Sequence, residues 1–187
     1  MNALQLLKAD HDLVRQMFEQ FRTAHESDDY EAMGRISEEV FTELEVHTAI
    51  EEEVFYPAVR EAGGGELNEL TDESLEEHHV VDVLMAEIRR LDPSDDAFAA
   101  KMTVLIENVE HHAGEEEDEM FPDVANLLDT QALEALGVEL EATKLQQMAQ
   151  LQSRDELYQQ ASDLDIEGRS SMTKQELAKA VAERSKG

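Results

Sequence analysis

Hydrophobic residues recur every three or four positions along four segments of the chain, which is the spacing of an amphipathic helix. The stripes comprise Leu4, Leu7, Val14, Phe18 and Phe21; Ile36, Val40, Leu44, Val54 and Ala58; Val81, Met85 and Ile88; and Phe98, Met102, Leu105 and Val109. Histidines or glutamates continue the stripe in each segment. The pattern therefore predicts four helices whose buried faces also carry polar side chains.

Polar and helix-breaking residues separate these four segments. Ser27–Asp29 supply candidate helix caps, Gly63–Gly65 interrupt helical structure, and Asp92–Ser94 contain a proline. Ala, Leu, Glu and Gln, which are good helix formers, dominate the composition. Because short connections make successive helices antiparallel, the sequence predicts an all-α fold, an up-down-up-down four-helix bundle with a C-terminal helical extension.

The two halves of the predicted bundle resemble each other. The segment 47–57 (HTAIEEEVFYP) aligns without a gap on 112–122 (HAGEEEDEMFP), and 10–18 (DHDLVRQMF) aligns on 77–85 (EHHVVDVLM). The two offsets are 65 and 67 residues. One helical hairpin is thus used twice. Packing the two hairpins face to face would gather four histidines and two glutamates about a pseudo-twofold axis.

Six residues of this repeat are candidate metal ligands: His11, His47, Glu51, His78, His112 and Glu116. A His and a Glu four residues apart project from the same side of a helix, about 6 Å apart along its axis. A single buried His is usually a hydrogen-bonded core residue, but two buried carboxylates, Glu51 and Glu116, would repel each other. Cations between them would remove the repulsion, and imidazole with carboxylate suits iron, manganese or zinc.

Neighbouring polar residues are weaker candidates. His111 is in line with a polar stripe and is expected to face solvent, and His25 near the end of the first helix is expected at the surface. His79 lies one position round its helix from the candidate ligand and stays an open alternative. Asp82 is a further candidate, either as a ligand or as a hydrogen-bond acceptor for one.

Charge and composition narrow the range of functions. The formal net charge is −30, which argues against a general polyanion-binding role because phosphate groups would be repelled. The absence of Cys excludes disulfides, thiolate metal sites and cysteine nucleophiles. No apolar run is long enough to cross a membrane, and the N-terminal sequence lacks the pattern of a signal peptide. We therefore expect a cytoplasmic protein.

The charge is unevenly spread and suggests a domain boundary. Residues 1–152 carry 9 Lys and Arg against 38 Asp and Glu, whereas residues 153–187 carry 6 against 7. We predict that 1–130 form the four-helix bundle and that 131–152 form an additional helix. This helix would pack on the bundle or mediate a homo-oligomer, and 153–187 would form a small helix–loop–helix tail.

The order His, His-x-x-x-Glu, His, His-x-x-x-Glu resembles the hemerythrin family, in particular the bacterial and actinobacterial hemerythrin-like proteins with the HHE cation-binding domain. The resemblance extends over about the first 150 residues. Its elements are DH at 10–11, HxxxEE…P at 47–57, EH at 77–78 and HxxxEE…FP at 112–122. Ferritin-like di-iron proteins use Glu-x-x-His instead, so the spacing separates the two classes.

The resemblance implies a di-iron centre, two iron ions joined by an oxo or hydroxo bridge. Glu51 and Glu116 would bridge the irons and the four histidines would be terminal ligands, leaving an open position for O2, H2O2 or NO. Oxygen-carrying hemerythrins of marine worms have a further His four residues from the ligand of the third helix. Ser74 and Asp82 stand at the corresponding positions here, so simple oxygen carriage does not follow.

The tail resembles the small helix–loop–helix at the N-terminus of the transcription terminator Rho over residues 156–181. Thr173 and Glu176 predict a capping box within it. Such modules can contact nucleic acid, and the candidate residues are Arg154, Arg169, Lys174, Lys179 and Arg184. The tail has no net positive charge, however, which favours a solvated docking appendage over a nucleic-acid site.

Two main functions are predicted. The first is a di-iron protein that binds or reacts with O2, peroxide or nitric oxide; as an enzyme it would be a catalase- or peroxidase-like oxidoreductase. The alternative is a sensor of oxygen, iron or redox state that signals through its helical tail. Iron storage would need a cage or a nucleation surface, which a chain of 187 residues alone does not suggest.

Overall fold

The structure is a computed structural model that describes residues 1–164, 166 and 168–184. Its helices are α1 (Ala3–Glu26), α2 (Tyr30–Ile50), α3 (Tyr56–Ala62), α4 (Gly65–Ile88), α5 (Asp96–Glu115), α6 (Phe121–Leu127), α7 (Thr130–Asp163) and α8 (Lys174–Arg184). A short 3-10 turn, Arg169–Ser171, precedes α8. Helix α1 packs against α2 and α5, and α4 packs against α5. The predicted all-α bundle is confirmed.

Side chains at the helix starts explain where α1 and α2 begin. The Asn2 side chain accepts a hydrogen bond from the Gln5 N–H at 2.9 Å, and the Gln5 side chain accepts one from the Asn2 N–H at 3.2 Å. This reciprocal pair is a capping box. Asp29 caps α2 by accepting a hydrogen bond from the Ala32 N–H at 3.0 Å. These caps satisfy N–H groups that have no partner within the helix.

Helices α2 and α5 each continue into a wider π-helical turn, Glu51–Phe55 and Glu116–Met120. In both turns the first carbonyl accepts a hydrogen bond from the N–H group five residues further on. Pro57 and Pro122 follow directly. A proline in an α-helix clashes with the carbonyl four residues before it, and the wider turn relieves that clash. Each turn begins at the glutamate of a His-x-x-x-Glu pair, and such turns are frequent at functional sites.

The bundle has two apolar clusters instead of one continuous core. The first is built around Val14, Phe18, Phe41, Met85 and Met102. The second is built around Leu7, Ile50, Phe55, Tyr56 and Leu140. Along each helix of the bundle, buried histidines and glutamates stand in the chain between the residues of one cluster and those of the other. A buried polar layer therefore crosses the core.

Helix α7 packs on the second cluster through Leu133, Leu136 and Leu140. Gly137 lies so close to the start of the chain that a Cβ atom there would be 2.6 Å from the Met1 carbonyl oxygen. The lack of a side chain is therefore needed for this contact. No described helix is long and apolar enough to span a membrane.

The chain divides into two compact units, Met1–Lys144 and Leu145–Gly187. Helix α7 runs unbroken from Thr130 to Asp163, whereas the sequence suggested that one helix ends near residue 151 and another begins near 156. The second unit has a small apolar cluster of its own around Ala161, Leu177 and Val181. The predicted domain boundaries at 130 and 152 stay predictions.

Candidate metal centre

The structure brings all six candidate ligands together in the buried polar layer. Each has at most 6% of its surface exposed, and the two glutamates have 0% and 1%. His11 comes from α1, His47 from α2, His78 from α4 and His112 from α5. The two glutamates come from the first positions of the π-helical turns. The repeat in the sequence is thus a repeat in the site.

The four imidazoles form two similar pairs. The Nε2 atoms of His11 and His47 are 3.0 Å apart, and those of His78 and His112 are 3.2 Å apart. The rings within each pair have centroids 4.7 Å apart and are inclined at 71° and 69°. Two nitrogen ligands about 2.1 Å from one ion, at a right angle, would lie about 3.0 Å apart. Each pair therefore has the spacing of two ligands to one ion.

The two glutamates lie between the pairs. The carboxylate of Glu51 is 3.1 Å from His47 Nε2 and 3.3 Å from His78 Nε2. That of Glu116 is 3.4 Å from His11 Nε2 and 3.8 Å from His112 Nε2. Both oxygens of Glu51 and one of Glu116 are buried without a hydrogen-bond partner. Such oxygens are costly in a protein interior unless a cation or a donor reaches them.

A carboxylate lies beside the outward nitrogen of every imidazole. Glu117 is 3.0 Å from His11 Nδ1, Glu52 is 2.9 Å from His78 Nδ1, and Glu77 is 2.9 Å from His112 Nδ1. Asp10 lies 3.7 Å from His47 Nδ1, too far for a hydrogen bond. We call these four acids the carboxylate ring.

Hydrogen bonds to the carboxylate ring favour a proton on Nδ1 of three imidazoles, those of His11, His78 and His112. A neutral histidine that donates from Nδ1 presents a lone pair at Nε2. His78 and His112 would then oppose two lone pairs at 3.2 Å, next to two carboxylates. Only cations, either protons or metal ions, make that arrangement favourable. Metal-ligating histidines commonly donate their other N–H to a carboxylate in this way, so the residues present fit a pair of metal ions.

Without a metal ion, protons take the place of the cations. Burial alone would lower the pKa of His47, but Glu51, Asp10 and Glu116 outweigh it and raise this pKa to about 10. The same opposition holds for His112, where Glu77 and the two central glutamates raise the pKa against burial. Burial would raise the pKa of Glu51, but His47 and His78 hold it well below its usual value.

Tyr56 is a site residue that the sequence analysis missed. Its hydroxyl donates a hydrogen bond to Glu116 at 3.0 Å, and its oxygen is 3.3 Å from His78 Nε2. Burial raises its pKa well above 10, with Glu51 and Glu116 acting in the same direction, so the hydroxyl keeps its proton. In the repeat Tyr56 aligns with Phe121, which stacks on His11 at 6.0 Å. The sequence signal for Tyr56 was the alignment of the two repeats, in which its phenol ring matches the phenyl ring of Phe121.

The carboxylate ring was also missed, although its members stand next to the predicted ligands. Asp10 and Glu77 directly precede His11 and His78, and two further acids directly follow the predicted glutamates. When two polar residues are adjacent on a helix, one of them usually faces solvent. The signal was their recurrence at equivalent positions of both repeats, which solvated residues do not require.

A small cavity adjoins the histidines. About 20 Å³ of it is open to the centre of a water-sized sphere, and its wall includes all four imidazoles. Its other lining residues are Val14, Arg15, Phe18, Leu44, Thr48, Val81, Val109, Glu110 and Ala113. A space of that size holds about one water molecule. It therefore suits a ligand of two to four atoms.

The weaker candidates do not join the buried site. His79, His25 and Asp82 are exposed. The side chain of His111 is 66% exposed and lies 3.2 Å from Glu115, so the expectation that it faces solvent holds. Burial and the nearby Glu52 raise the pKa of Asp82, although His78 acts in the opposite direction.

Comparisons with known proteins agree with this geometry. The family profile described as hemerythrin HHE cation binding domain matches residues 2–124, and that of the Rho termination factor N-terminal domain matches 139–185. The crystal structure of a hemerythrin HHE cation binding domain-containing protein from Mycobacterium kansasii has a TM-score of 0.67. It is 21% identical, and the match covers 98% of this chain and 99% of that one.

A curated relative is longer than this chain. A DNA nickase from Nostoc sp. is 29% identical over 145 residues, which is 77% of this chain. The match spans 39% of the Nostoc protein. Most of the Nostoc protein therefore lies outside the match with this chain.

Proposed function

Since this chain belongs to the family of hemerythrin HHE cation binding domains, we propose that it holds two iron ions and reacts with O2, peroxide or nitric oxide. One observation carries the proposal: two pairs of buried imidazoles turn their Nε2 atoms toward two buried glutamates, and three of the four oxygens of these glutamates lack a hydrogen-bond partner. His11 and His47 would hold one ion, and His78 and His112 the other. Glu51 and Glu116 would be shared between them.

The donor set favours iron over the harder and softer metals. Calcium and magnesium prefer oxygen ligands, and copper(I) prefers sulfur. Four nitrogens and two carboxylates suit iron, manganese or zinc. When bound, an iron pair would supply two redox-active Lewis acids at an open coordination position. The cavity beside the four imidazoles has room for about one water molecule, which suits a molecule as small as O2, peroxide or nitric oxide.

The protein's own residues would control protons and water around the reacting molecule. The Tyr56 hydroxyl oxygen lies 3.0 Å from a Glu116 oxygen, so the hydroxyl can donate a hydrogen bond to that carboxylate as the charge of the centre changes. The three members of the carboxylate ring that form hydrogen bonds, Glu52, Glu77 and Glu117, would keep the Nδ1 protons of their imidazoles in place and orient those imidazoles. Val14, Val81 and Val109 keep the wall of the cavity apolar, which limits the water that reaches the site.

The proposal is tested by metal analysis with an absorption spectrum of the aerobically purified protein, before and after adding H2O2 or azide. We expect two irons per chain, charge-transfer bands in the near ultraviolet, and a change of these bands with either reagent. Glu51→Ala and Glu116→Ala should each lose the centre. Glu53→Ala is the matched control, since Glu53 is exposed on the same turn as Glu51, and it should retain both irons.

Two results would contradict the proposal. One zinc per chain without colour would exclude an iron pair. Full iron content in both Glu51→Ala and Glu116→Ala would exclude the shared role of these glutamates. Catalytic release of O2 from peroxide by the iron-loaded protein would identify an enzyme, whereas a spectral change without turnover would identify a binding protein or a sensor.

A second candidate function, a sensor that acts through its C-terminal unit, is favoured by a contact between α7 and the carboxylate ring. The Rho-like profile begins at residue 139, within the helix whose Lys144 forms an ion pair of 2.6 Å with Asp10 of the carboxylate ring. A change of charge at the ring would therefore act on the helix that leads into the Rho-like segment. We propose single-stranded nucleic acid as the partner of that segment.

The cationic side chains in the described part of the tail differ in how accessible they are to a ligand. The guanidinium of Arg169 lies 5.8 Å from the ring of Tyr158 and donates to the Ile166 carbonyl, whereas Lys179 and Arg184 are exposed. Fluorescence anisotropy with labelled single-stranded RNA or DNA should show binding that weakens with salt and differs between metal-free and metal-loaded protein. Binding that is unchanged in Lys179→Ala/Arg184→Ala, or no binding at low salt, would contradict this candidate.

A further inference from the structure

The two halves of the centre differ sharply in the charges around the carboxylate ring. On the His11/His47 side, Glu117 pairs with Lys8 at 2.5 Å and with Arg15 at 2.7 Å. Asp10 pairs with Lys144 at 2.6 Å. Three cations thus neutralise the two acids that face this pair of imidazoles.

No such neutralisation occurs on the His78/His112 side. Within the part of the chain that the structure describes, neither Glu52 nor Glu77 has an ion pair with a lysine or an arginine. The ion-pair partners of Glu77 among the described residues are histidines, His112 at 2.9 Å and His111 at 3.9 Å. Among the described residues, no lysine or arginine therefore offsets the charge of these two acids.

The sequence repeat shows that this difference is built into aligned positions. Arg15 aligns with Asp82, and Lys8 aligns with Leu75 when the same offset is extended. The cation beside Glu117 is thus replaced by an anion near Glu52. Asp82 is close enough to Glu52 for that carboxylate, after burial, to raise its pKa.

A free carboxylate polarises the imidazole it bonds to more strongly than a neutralised one. An Nδ1–H group that donates to an unpaired carboxylate leaves more electron density on Nε2, which makes the nitrogen a stronger metal ligand. Both imidazoles of the His78/His112 pair have such bonds, at 2.9 Å each. On the other side, the bond from His11 ends on a carboxylate that two cations share, and His47 has no bond to Asp10 at all.

We propose that the two metal positions are inequivalent: the ion at His78/His112 is bound more firmly, and the ion at His11/His47 is the one that leaves first. The inference rests on the proposed metal pair. Because Glu51 and Glu116 face both pairs of histidines, the carboxylate ring and its cations set the difference. Glu77 contributes more than Glu52, since the Glu52 side chain is 46% exposed and the Glu77 side chain 21%, and water screens an exposed charge.

The experiment loads the full chain with two equivalents of Co2+ and follows their release to excess EDTA by the cobalt absorption. Release should be biphasic. Glu77→Gln should speed the slow phase by about tenfold, the loss typical of a removed carboxylate partner, and Asp82→Arg should speed the same phase. Lys8→Met and Lys144→Met should each slow the fast phase and leave the slow phase unchanged.

Two controls separate the inference from folding effects and from the proposed function. Lys101→Met removes a surface ion pair with Glu87, away from the site, and should change neither phase. Thermal unfolding of each metal-free variant checks the fold. Lys8 lies in α1, so an effect of Lys8→Met cannot come from a changed side chain in α7, as an effect of Lys144→Met could. If a variant fails to fold, His47→Gln and His112→Gln are compared instead. The ion retained in His47→Gln should be released more slowly than the ion retained in His112→Gln.

The outcomes are distinct. A native chain that does not take up two Co2+ contradicts the proposed metal pair itself. A chain that takes up two and releases them in a single phase contradicts only the inequivalence. Lys144→Met and Glu77→Gln acting on the same phase, or faster release from His47→Gln than from His112→Gln, would also overturn the inference.

Discussion

At the scale of single residues, the centre is a problem of buried charge. Glu51 and Glu116 are almost wholly inaccessible to water, and between them three carboxylate oxygens lack hydrogen-bond partners. Buried carboxylates of this kind must be balanced by cations. In the metal-free protein the balance comes from protons on the imidazoles, which is why the pKa of His47 rises to about 10.

This balance predicts how the stability of the metal-free protein depends on pH. The pKa of His47 is about 10 in the folded protein and about 6.5 in an unfolded chain. The folded state therefore holds the proton more tightly, and the resulting stabilisation is complete below about pH 6.5 and is lost as the pH rises toward 10. Urea unfolding of metal-free protein at pH 7 and pH 10 should show a lower unfolding free energy at the higher pH.

The metal-loaded protein is the control for this prediction. Metal ions replace the imidazole protons, so its unfolding free energy should vary much less between pH 7 and pH 10. Metal-free His47→Gln should have lost part of the dependence. A metal-free protein whose unfolding free energy is the same at both pH values would contradict the proposed charge balance.

The sequence predicted residues of the site when they stood in an apolar stripe and recurred in both repeats. His11, His47, His78 and His112 meet both conditions, and the structure brings them together. Tyr56 was missed because an aromatic residue in a buried stripe is usually plain core, and only the side-chain geometry shows its bond to Glu116. Lys144 lies 134 residues from Asp10, and no local pattern predicts a contact over that separation.

At the scale of helices, the π-helical turns and α7 shape the site. Each turn changes the register directly after a central glutamate, so the next buried residues, such as Tyr56, point back toward the centre. Pro57 and Pro122 indicated an irregular turn in each helix, but a proline can also end or kink a helix. Periodicity alone could not distinguish these outcomes, and it predicted one uninterrupted stripe from Ile36 to Ala58.

Helix α7 depends on Gly137, which predicts a large effect of a small substitution. In Gly137→Ala the new Cβ would meet the Met1 carbonyl oxygen at 2.6 Å and backbone atoms of Asn2 and Ala3 within 2.9 Å. We expect the unfolding free energy to fall by about 1–3 kcal/mol, as in other overpacked contacts. Urea unfolding of the full chain measures the loss.

Gly114→Ala is the matched control for that substitution. Gly114 lies inside α5, and a Cβ there would meet no heavy atom within 4 Å. Replacing a glycine inside a helix by alanine should then raise the unfolding free energy by up to about 1 kcal/mol. Equal effects of the two substitutions would show that α7 is not held by the close contact at Gly137.

At the scale of the whole molecule, the chain combines a hemerythrin-type bundle with a second compact unit. The sequence predicted the bundle because four stripes, three short connections and an internal repeat all indicated the same arrangement. It did not predict that α7 runs unbroken to Asp163, because the change in charge between residues 152 and 153 indicated a boundary there. The continuous helix carries Lys144 to the carboxylate ring and also leads into the Rho-like segment.

The central claim is that the buried polar layer holds two metal ions shared by Glu51 and Glu116. Anomalous X-ray scattering at the iron absorption edge, from crystals of iron-loaded protein, tests it most directly. The account predicts two anomalous peaks, one beside His11 and His47 and one beside the other two histidines, both within bonding distance of the glutamates. A single peak in the layer, or peaks only at the surface beside His111, would contradict it.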